Sequence, residues 1–364
     1  MITIAYRRSK GIPYYSKRVN AVILDAISKA YHRKRSMDMP RIYTSIDQLV
    51  GGTPLLRFGK LEQKLELKAE LLGKLEYFNP TGSIKDRIAW NMIRKAGQEG
   101  RIRPGDTLLD FTSGNTGIAS AAFANAGGYH YAVVLQPGVS EERKQILRAY
   151  GAELIPHTDV PGFDEMLCTT GLVHRTLQAM MRDYAAKRGW FYLDQGCNPD
   201  NPDAHYLTTA AEIDRDTDGR VDYIILMVGT GGTMAGISRY FREKHPDTRI
   251  IGVQPDARSR KRPDHPEINT IDGVIAFHNT GNLPFFWDEG EEPYDEVIDV
   301  VAEDAYRVGR LLVRSDGVFL GQSAAASVSA AVTVAARPEA EGKRIVAVLA
   351  DNAFKYLSTN MYKD

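Results

Sequence analysis

The sequence predicts an α/β fold in which helices cover both faces of parallel β-sheets. From residue 46 onward, short continuous apolar runs alternate with helix-forming stretches. Such runs are typical of strands buried on both faces, and their alternation with helices favours βαβ units. The length of 364 residues suggests about two domains. No repeat or low-complexity linker separates them, so we expect the domains to pack closely.

The individual elements follow in chain order. Strands are expected at Thr107–Phe111, Tyr131–Leu135, Glu153–Pro156, Trp190–Leu193, Tyr223–Val228, Ile250–Val253 and Arg344–Leu349. Helices are expected at Ile84–Gln98, Gly117–Asn125, Glu141–Tyr150, Met234–Glu243 and Ser323–Ala336. Ligands of such folds bind at the carboxyl ends of strands, beside helix N-termini, so the loops at those ends are the candidates for function.

Composition excludes several classes of protein. Lys+Arg and Asp+Glu both number 46, which argues against a nucleic-acid binder. No apolar run approaches the roughly 18 residues that span a bilayer, so we expect no membrane association. The two cysteines, Cys168 and Cys197, are too few for a disulfide scaffold and lack zinc spacing. We therefore expect no metal and a reducing, cytoplasmic location.

Residues 1–45 form a basic N-terminal extension, and Asp25 is the one acidic residue among the first 36. An apolar helical stripe runs through it at Val19, Val22, Ile23, Ala26, Ile27 and Ala30. A transit peptide would share the basic composition, but the stripe favours a helix packed on the main body or on a second subunit.

The first candidate loop carries Lys85 and opens the helix expected from Ile84. Asn-Pro and Thr-Gly mark a turn, and the Ser83–Asp86 spacing predicts a capping box. Lys85 then lies in the first helical turn, where the helix dipole disfavours a cation and helps to lower the pKa of the amine. A neutral amine suits Schiff-base chemistry. The alternative is a capped helix with a solvated lysine.

Three further loops also join a strand to a helix or enter a helix. Gly229-Thr230-Gly231-Gly232-Thr233 resembles a phosphate cradle but matches neither nucleotide signature; a tight turn is the alternative. Thr112-Ser113-Gly114-Asn115-Thr116-Gly117 suits a small carboxylate, or caps a helix. Ser323 is expected to be an N-cap, or to bond a ligand heteroatom.

The four loops together match pyridoxal phosphate bound as a lysine imine. They supply an amine, two anion cradles and a neutral hydroxyl.

These residues also resemble a known family, the fold-type II pyridoxal-phosphate enzymes and in particular the cysteine synthases. The resemblance runs from about Thr44 to the C-terminus. It rests on Gly52-Thr53-Pro54-Leu55, the NPTGSIKDR run around Lys85, TSGNTG at 112–117, Gln195 with Asn198-Pro199, and GTGGT at 229–233. The resemblance implies two α/β domains, at 46–192 and 193–364, with the lysine in the first and the phosphate loop in the second.

The resemblance also implies a role for each site residue. Lys85 would bind the cofactor covalently and act as the base, and Asn115 would bond the phenolic oxygen of the cofactor. The phosphate would lie on Gly229, Thr230, Gly231, Gly232 and Thr233, and Ser323 would meet the pyridine nitrogen. The substrate carboxylate would be held by Thr112, Ser113, Thr116 and Gln195. Gly273 would line the mouth of the site.

The implied reaction is β-replacement on an O-activated L-serine with a sulfur nucleophile, which gives L-cysteine. O-phosphoserine and O-acetylserine both remain open. The stretch 350–359 resembles the ending of O-phosphoserine users, but their arginine ahead of Gly273 is missing, and the nearest basic residues are Arg258, Arg260, Lys261 and Arg262. Cystathionine or 2,3-diaminopropionate synthesis is the alternative. The expected partners are a second copy of the chain, in a homodimer, and serine acetyltransferase.

One departure from the family pattern lies at the start of the last expected helix. Where relatives read Ser-Ser-Gly or Ser-Ala-Gly, this chain reads Ser323-Ala324-Ala325-Ala326, a change that we expect to narrow the pocket slightly.

Overall fold

The chain divides into two units at residue 41, and the residues described here belong to the second, Ile42–Asp364. A computed structural model describes residues 42–112, 114–136, 138–170, 174–260, 267–280, 284–288 and 290–363, without the side chains of 167–170, 174 and 175. The apolar stripe of the N-terminal extension lies outside these residues.

The strands of the described residues form two sheets. They are β1 Leu55–Arg57, β2 Glu70–Leu75, β3 Thr107–Phe111, β4 His130–Leu135, β5 Glu153–Pro156, β6 Phe191–Tyr192, β7 Tyr223–Met227, β8 Arg249–Pro255, β9 Glu296–Val300 and β10 Arg344–Leu349. The larger sheet has the order β1-β2-β10-β7-β8-β9 and is parallel except for its antiparallel edge strand β1. The smaller sheet, β5-β4-β3-β6, is parallel throughout.

Helices connect and flank these strands. They are α1 Gly59–Lys64, α2 Lys85–Gln98, α3 Asn115–Ala126, α4 Glu141–Ala149, α5 Phe163–Thr170, α6 His174–Ala186, α7 Asp200–Ala204, α8 Ala211–Asp216, α9 Gly232–Lys244, α10 Ala302–Asp316 and α11 Gln322–Ala335. A π-helical turn, His205–Ala210, joins α7 to α8. Short 3-10 turns lie at Ile46–Leu49, Glu76–Phe78, His157–Asp159, Ala257–Ser259, Pro338–Ala340, Ala353–Lys355 and Asn360–Tyr362.

The predicted α/β class with parallel sheets is confirmed, and each of the seven expected strands is present with small shifts at the ends. Three strands were missed, because their sequences do not read as apolar runs. β1 is half-exposed at the sheet edge, β2 contains the fully buried Lys74, and β9 carries charged residues.

The expected division at residue 192 stays a prediction. The two sheets do not follow one cut of the chain, since β1 and β2 join the strands from residue 223 onward in the larger sheet.

The hydrophobic core of the larger sheet includes the alanine-rich face of α11. Ala324, Ala325 and Ala326 are fully buried there, and the helix packs against β10 and β7. Small side chains allow this close approach of helix and sheet. A Cβ added to Gly309 on α10 would lie 3.1 Å from the Ala325 Cβ. Ala325, which stands where the family pattern has glycine, therefore contributes to this core together with Ala324 and Ala326.

Four charged side chains form a buried ion cluster, defined here as Lys74, Glu76, Arg87 and Glu212. Arg87 Nε lies 2.6 Å from Glu76 Oε2, and Arg87 Nη2 lies 2.8 Å from Glu212 Oε2. Lys74 Nζ reaches Glu212 Oε2 at 2.9 Å. No member is more than 2% exposed at its side chain. Two positive and two negative charges balance, and the cluster joins β2, α2 and α8.

The ion cluster should be highly sensitive to the loss of one partner. We expect Arg87→Met to lower the free energy of unfolding by about 3–5 kcal/mol, because it leaves Glu76 and Glu212 buried without their main counter-charge. The matched control is Arg148→Met, which breaks an exposed pair with Glu141 and should have a much smaller effect. Urea denaturation of both variants measures the difference, and equal losses would contradict the proposed role of the cluster.

A buried acid outside this cluster, Asp110 near the end of β3, should make stability depend on pH. Burial raises the pKa of Asp110 to about 8. One carboxyl oxygen accepts the Phe111 N–H, and the other has no partner among the described atoms. The folded state therefore holds a proton that the unfolded state releases above about pH 4, and stability should fall as the pH rises from about 4 to about 8.

The isosteric change Asp110→Asn removes this titration. Thermal unfolding across the same pH range should show a flatter profile for the variant, with its largest gain over the wild type at the alkaline end. Parallel profiles for the two proteins would show that Asp110 is ionised in the folded state.

Candidate active site

Lys85 is the first residue of α2, as the sequence predicted to within one residue. The loop before it is held against the C-terminal segment, since Ser83 forms an antiparallel bridge with Asp351 and the Ile84 N–H donates to Ala350 O at 2.8 Å. The half-buried Lys85 amine has no hydrogen bond or ion pair with any described residue. Burial lowers its pKa, against the opposing charge of Asp351. Burial thus adds to the dipole effect expected from the sequence.

The predicted capping box is wrong. The N-cap of α2 is Ile84, and the Asp86 carboxylate turns back to accept the N–H of Thr81 at 2.6 Å and also its hydroxyl. Ser83 Oγ accepts the Lys85 N–H at 3.2 Å. Because the helix begins one residue later than assumed, the serine and the acid do not face each other. Burial raises the pKa of Asp86 to about 6. Through its hydrogen bonds to Thr81, this buried acid stabilises the turn before α2.

The glycine loop after β7 has the geometry of an anion cradle. Gly231 is the N-cap of α9 and has a φ of 91°, a left-handed conformation that favours glycine. A Cβ on Gly232 would lie 2.0 Å from Asn201 Oδ1, and one on Gly229 would lie 2.9 Å from Gly273 O. The loop therefore requires glycine at these positions. The amides at the start of α9 are the donors that bind phosphate at a helix N-terminus.

The two threonines of this loop contact residues that the sequence did not identify. Asn201 Nδ2 donates to Thr230 Oγ1 at 3.2 Å. Thr233 Oγ1 lies 3.1 Å from His205 Nε2, and His205 Nδ1 lies 2.9 Å from Thr209 Oγ1. Burial, with Lys85 and Arg87 nearby, holds the pKa of His205 well below its usual range, so the ring is neutral. His205 thus lies against the glycine loop at Thr233, and the charge of Lys85 is near enough to lower the pKa of its ring.

The expected carboxylate loop lies beside the same cradle. Thr112 is buried, Ser113 lies outside the described residues, and Thr116 Oγ1 donates to Gln195 Oε1 at 2.7 Å. Asn201 donates to the backbone oxygen of Gln195 at 2.7 Å as well as to Thr230. The structure therefore brings Thr116, Gln195 and the phosphate cradle together. Because Gln195 Oε1 accepts a bond, its amide nitrogen remains the end able to bind an anion.

Asn115, the first residue of α3, contacts the C-terminal segment after β10. Its Nδ2 donates to Asp351 Oδ2 at 2.7 Å, and its Oδ1 accepts from Lys355 Nζ at 2.8 Å. The Tyr356 hydroxyl donates to the same Asp351 oxygen. The sequence assigned no role to Asp351, Lys355 or Tyr356. Their position after the last parallel strand, at its carboxyl end, was the available signal.

Gly273 and Ser323 complete the predicted set. Gly273 has a φ of 78° and lies against Gly229. Its neighbour Asp272 pairs with Arg143 at 3.1 Å. Ser323 is the second residue of α11 and the N-cap is Gly321, so the predicted N-cap role of Ser323 is wrong. Its half-buried hydroxyl has no hydrogen bond within the described chain and is able to bond a ligand.

The basic loop considered for phosphate recognition lies in part outside the description. Arg258 is exposed and pairs with Asp256 at 2.8 Å, and Arg260 Nε donates to Pro255 O at 3.2 Å. Lys261 and Arg262 are not among the described residues.

The described residues include no group of three or more His, Cys, Asp or Glu that could hold a metal ion. None of their helices combines the length and apolar character needed to cross a bilayer.

Comparison with known proteins identifies relatives over the region of both sheets. The sequence profile described as "Pyridoxal-phosphate dependent enzyme" matches residues 46–351. Cysteine synthase of Staphylococcus aureus (strain Mu50) is 35% identical over 319 residues, which cover 87% of this chain and 96% of that protein. Cystathionine beta-synthase of Oryctolagus cuniculus is 37% identical over 323 residues, 88% of this chain. The chain spans only 56% of the length of that synthase.

Solved structures agree with these matches. Cysteine synthase (OASS) from Entamoeba histolytica superposes with a TM-score of 0.75 at 34% identity, over 90% of this chain and 94% of that chain. O-ureido-L-serine synthase superposes with a TM-score of 0.75 at 33% identity, over 88% of this chain and 95% of that chain.

Proposed function

The chain belongs to the family of pyridoxal-phosphate dependent enzymes, and on that premise we propose that it is a cysteine synthase. Its relatives act in β-replacement on serine derivatives, and its cofactor is pyridoxal 5'-phosphate. The finer proposal is that an O-activated L-serine reacts with a sulfur nucleophile to give L-cysteine. The observation that carries it is the Lys85 amine, which has no hydrogen bond or ion pair among the described residues and whose pKa is lowered by burial.

The residues present fit this cofactor. The phosphate would lie on the N–H groups of Gly229 to Thr233, where a Cβ at Gly232 would displace Asn201. Lys85 would hold the cofactor through its amine, and Ser323 would face the pyridine nitrogen with a hydroxyl that has no hydrogen bond to the described residues. Bound pyridoxal phosphate supplies an electron sink for the electron pair that is left when the substrate Cα loses its proton.

The chain's own side chains would do the remaining work. Thr112, Ser113, Thr116 and Gln195 would hold the substrate carboxylate, with Gln195 presenting its amide nitrogen. Lys85, once released, would take the Cα proton, which a neutral amine can accept. A neutral hydroxyl at Ser323 cannot keep the pyridine nitrogen protonated as a carboxylate would. The bound cofactor would then withdraw electrons only moderately, which favours loss of the β-substituent over transamination.

Charge balance near Asn115 favours O-acetylserine over O-phosphoserine as the donor. A phosphorylated substrate brings nearly two negative charges and calls for a cation. The basic side chains beside Asn115 are already matched by acids, since Lys355 lies near Asp351 and Arg143 pairs with Asp272. A neutral acetyl group needs no such partner. Cystathionine or 2,3-diaminopropionate synthesis, with another thiol or an amine as nucleophile, remains the alternative.

The proposal is tested with the holoenzyme and with Lys85→Ala. The wild type should form cysteine from O-acetylserine and sulfide, and borohydride should fix the cofactor on Lys85 in a peptide map. Lys85→Ala should lower kcat/KM by about a hundred- to ten-thousandfold or more, since it removes the base. Lys187→Met, at an exposed lysine paired with Asp183, is the control and should be unaffected.

The same assay separates the alternatives. O-phosphoserine as the better donor would overturn the charge argument, and turnover only with homocysteine or ammonia would overturn the cysteine synthase assignment. Unchanged activity in Lys85→Ala would overturn the proposed function as a whole.

We also propose a homodimer in the cytoplasm, with the N-terminal extension lying across the subunit interface. The apolar stripe from Val19 to Ala30 needs cover, and large side chains such as Phe78 and Leu357 are exposed on the described surface. Serine acetyltransferase is a proposed docking partner, to be tested by titrating a peptide from its tail.

Deleting residues 1–40 should dissociate or aggregate the protein, because it removes the stripe that we propose to cover the subunit interface. Light scattering coupled to size exclusion measures the outcome, with the visible absorption of bound cofactor as a check that the Lys85 site is intact. A truncated protein that stays dimeric, soluble and equally stable would contradict this assembly.

A further inference from the structure

The Asn115 carboxamide lies between a donor and an acceptor that cannot exchange roles. Lys355 Nζ donates to Oδ1 at 2.8 Å, and Asp351 Oδ2 accepts from Nδ2 at 2.7 Å. A lysine ammonium only donates, and Asp351 Oδ2 acts as an acceptor, since the Tyr356 hydroxyl also donates to it. Turning the carboxamide over would place donor against donor and acceptor against acceptor. The two neighbours therefore determine which end of Asn115 is oxygen and which is nitrogen.

Both neighbours are themselves held against the Lys85 loop. Lys355 Nζ also donates to Thr81 O at 2.9 Å. The backbone of Asp351 bridges to Ser83, and its carbonyl accepts the Gly321 N–H at 3.3 Å. The Asn115 carboxamide is thus oriented by two residues that are hydrogen-bonded to the loop carrying Lys85 and, through Asp351, to the start of α11.

A second set of contacts fixes the Asp351 side chain. The Tyr356 hydroxyl donates to Oδ2, the atom that Asn115 also contacts. The Arg143 guanidinium carbon lies 5.2 Å from the centre of the Tyr356 ring, and Arg143 pairs with Asp272 at 3.1 Å. A cation over an aromatic face restrains the ring. Tyr356 therefore keeps one carboxylate oxygen directed at Asn115.

This arrangement leaves one hydrogen of the Asn115 amide nitrogen for a ligand. Nδ2 carries two hydrogens, and it contacts Asp351 Oδ2 at 2.7 Å and the Tyr356 hydroxyl at 3.4 Å. These two acceptors are hydrogen-bonded to each other and so lie on one side of Nδ2, where a single hydrogen serves both. The other is able to donate to an anionic oxygen within the site, whereas a reversed carboxamide would present an oxygen that repels it. The orientation of the Asn115 carboxamide therefore decides whether this side chain can donate to an anionic oxygen.

We propose that Lys355 and Asp351 are positioning residues that lock the Asn115 carboxamide with an N–H, rather than its oxygen, toward the phenolic oxygen of the cofactor. This inference rests on the proposed function, because it takes Asn115 as the partner of that oxygen. Neither residue is required to touch the cofactor itself, so both act through Asn115.

The test is a double-mutant cycle on the holoenzyme with Lys355→Met, Asn115→Ala and the two combined. The readouts are the visible absorption maximum of the bound cofactor and its dissociation rate. Lys355→Met should shift the absorption and speed dissociation by about tenfold, as for the loss of one hydrogen bond. In the Asn115→Ala background, the same change should add less than about twofold.

Two further variants separate positioning from general stability. Lys355→Arg keeps a donor and should restore the absorption maximum and bring dissociation to within about threefold of the wild type. Lys363→Met is the matched control, an exposed lysine of the same C-terminal segment, and should leave both readouts unchanged. Additive effects in the cycle, or a Lys355→Arg variant as impaired as Lys355→Met, would overturn the proposal.

A cycle with Tyr356→Phe tests the Asp351 side of the lock with a smaller change. Removing the hydroxyl should speed cofactor dissociation in the wild-type background and have no added effect with Asn115→Ala. Additivity here would likewise overturn the proposal. A wild-type protein that gains no visible band with pyridoxal phosphate would instead overturn the proposed function, so the two failures are distinguishable.

Discussion

The start of α2, where Lys85 lies, depends on four buried charges. Arg87 lies two residues further along α2 and is held between Glu76 and Glu212, and Lys74 balances the second acid. Burial alone would raise the pKa of Glu212, but Arg87 and Lys74 outweigh burial and hold it well below its usual range. Charges removed from water are retained only when paired this closely, so the cluster fixes the start of α2 relative to β2 and α8.

The Lys85 amine, at the start of this helix, lies where its charged form is disfavoured. Lys85 has lost much of its hydration and lies at the N-terminal end of a helix, and both effects lower the pKa of its amine. Asp351 opposes them, but its charge is shared among Tyr356, Asn115 and Lys355. In the proposed function, the glycine cradle would bind an anion through its backbone N–H groups. The site would then combine a base whose charged form is disfavoured with fixed donors, as β-replacement requires.

Much of this site could be predicted because short sequence motifs determine the backbone geometry of turns and loops. The glycines at 229, 231 and 232 and the lysine after the Asn-Pro turn were identified from short motifs, and the structure shows why glycine is required at the first three positions. Lys355 and Asp351 were missed because their contacts with Asn115 join residues more than 230 positions apart. Strand β2 was missed because Lys74 resembles a surface residue until its partner Glu212 is known.

The central claim is that the Lys85 amine is neutral at a pH where an ordinary lysine is charged. The most direct measurement is the rate at which Lys85 of the cofactor-free protein reacts with an amine-acylating reagent, followed by mass spectrometry across pH. The account predicts that its reactivity reaches half of its maximum at a pH below 10.5, the ordinary pKa of lysine. A midpoint at or above that value would contradict it.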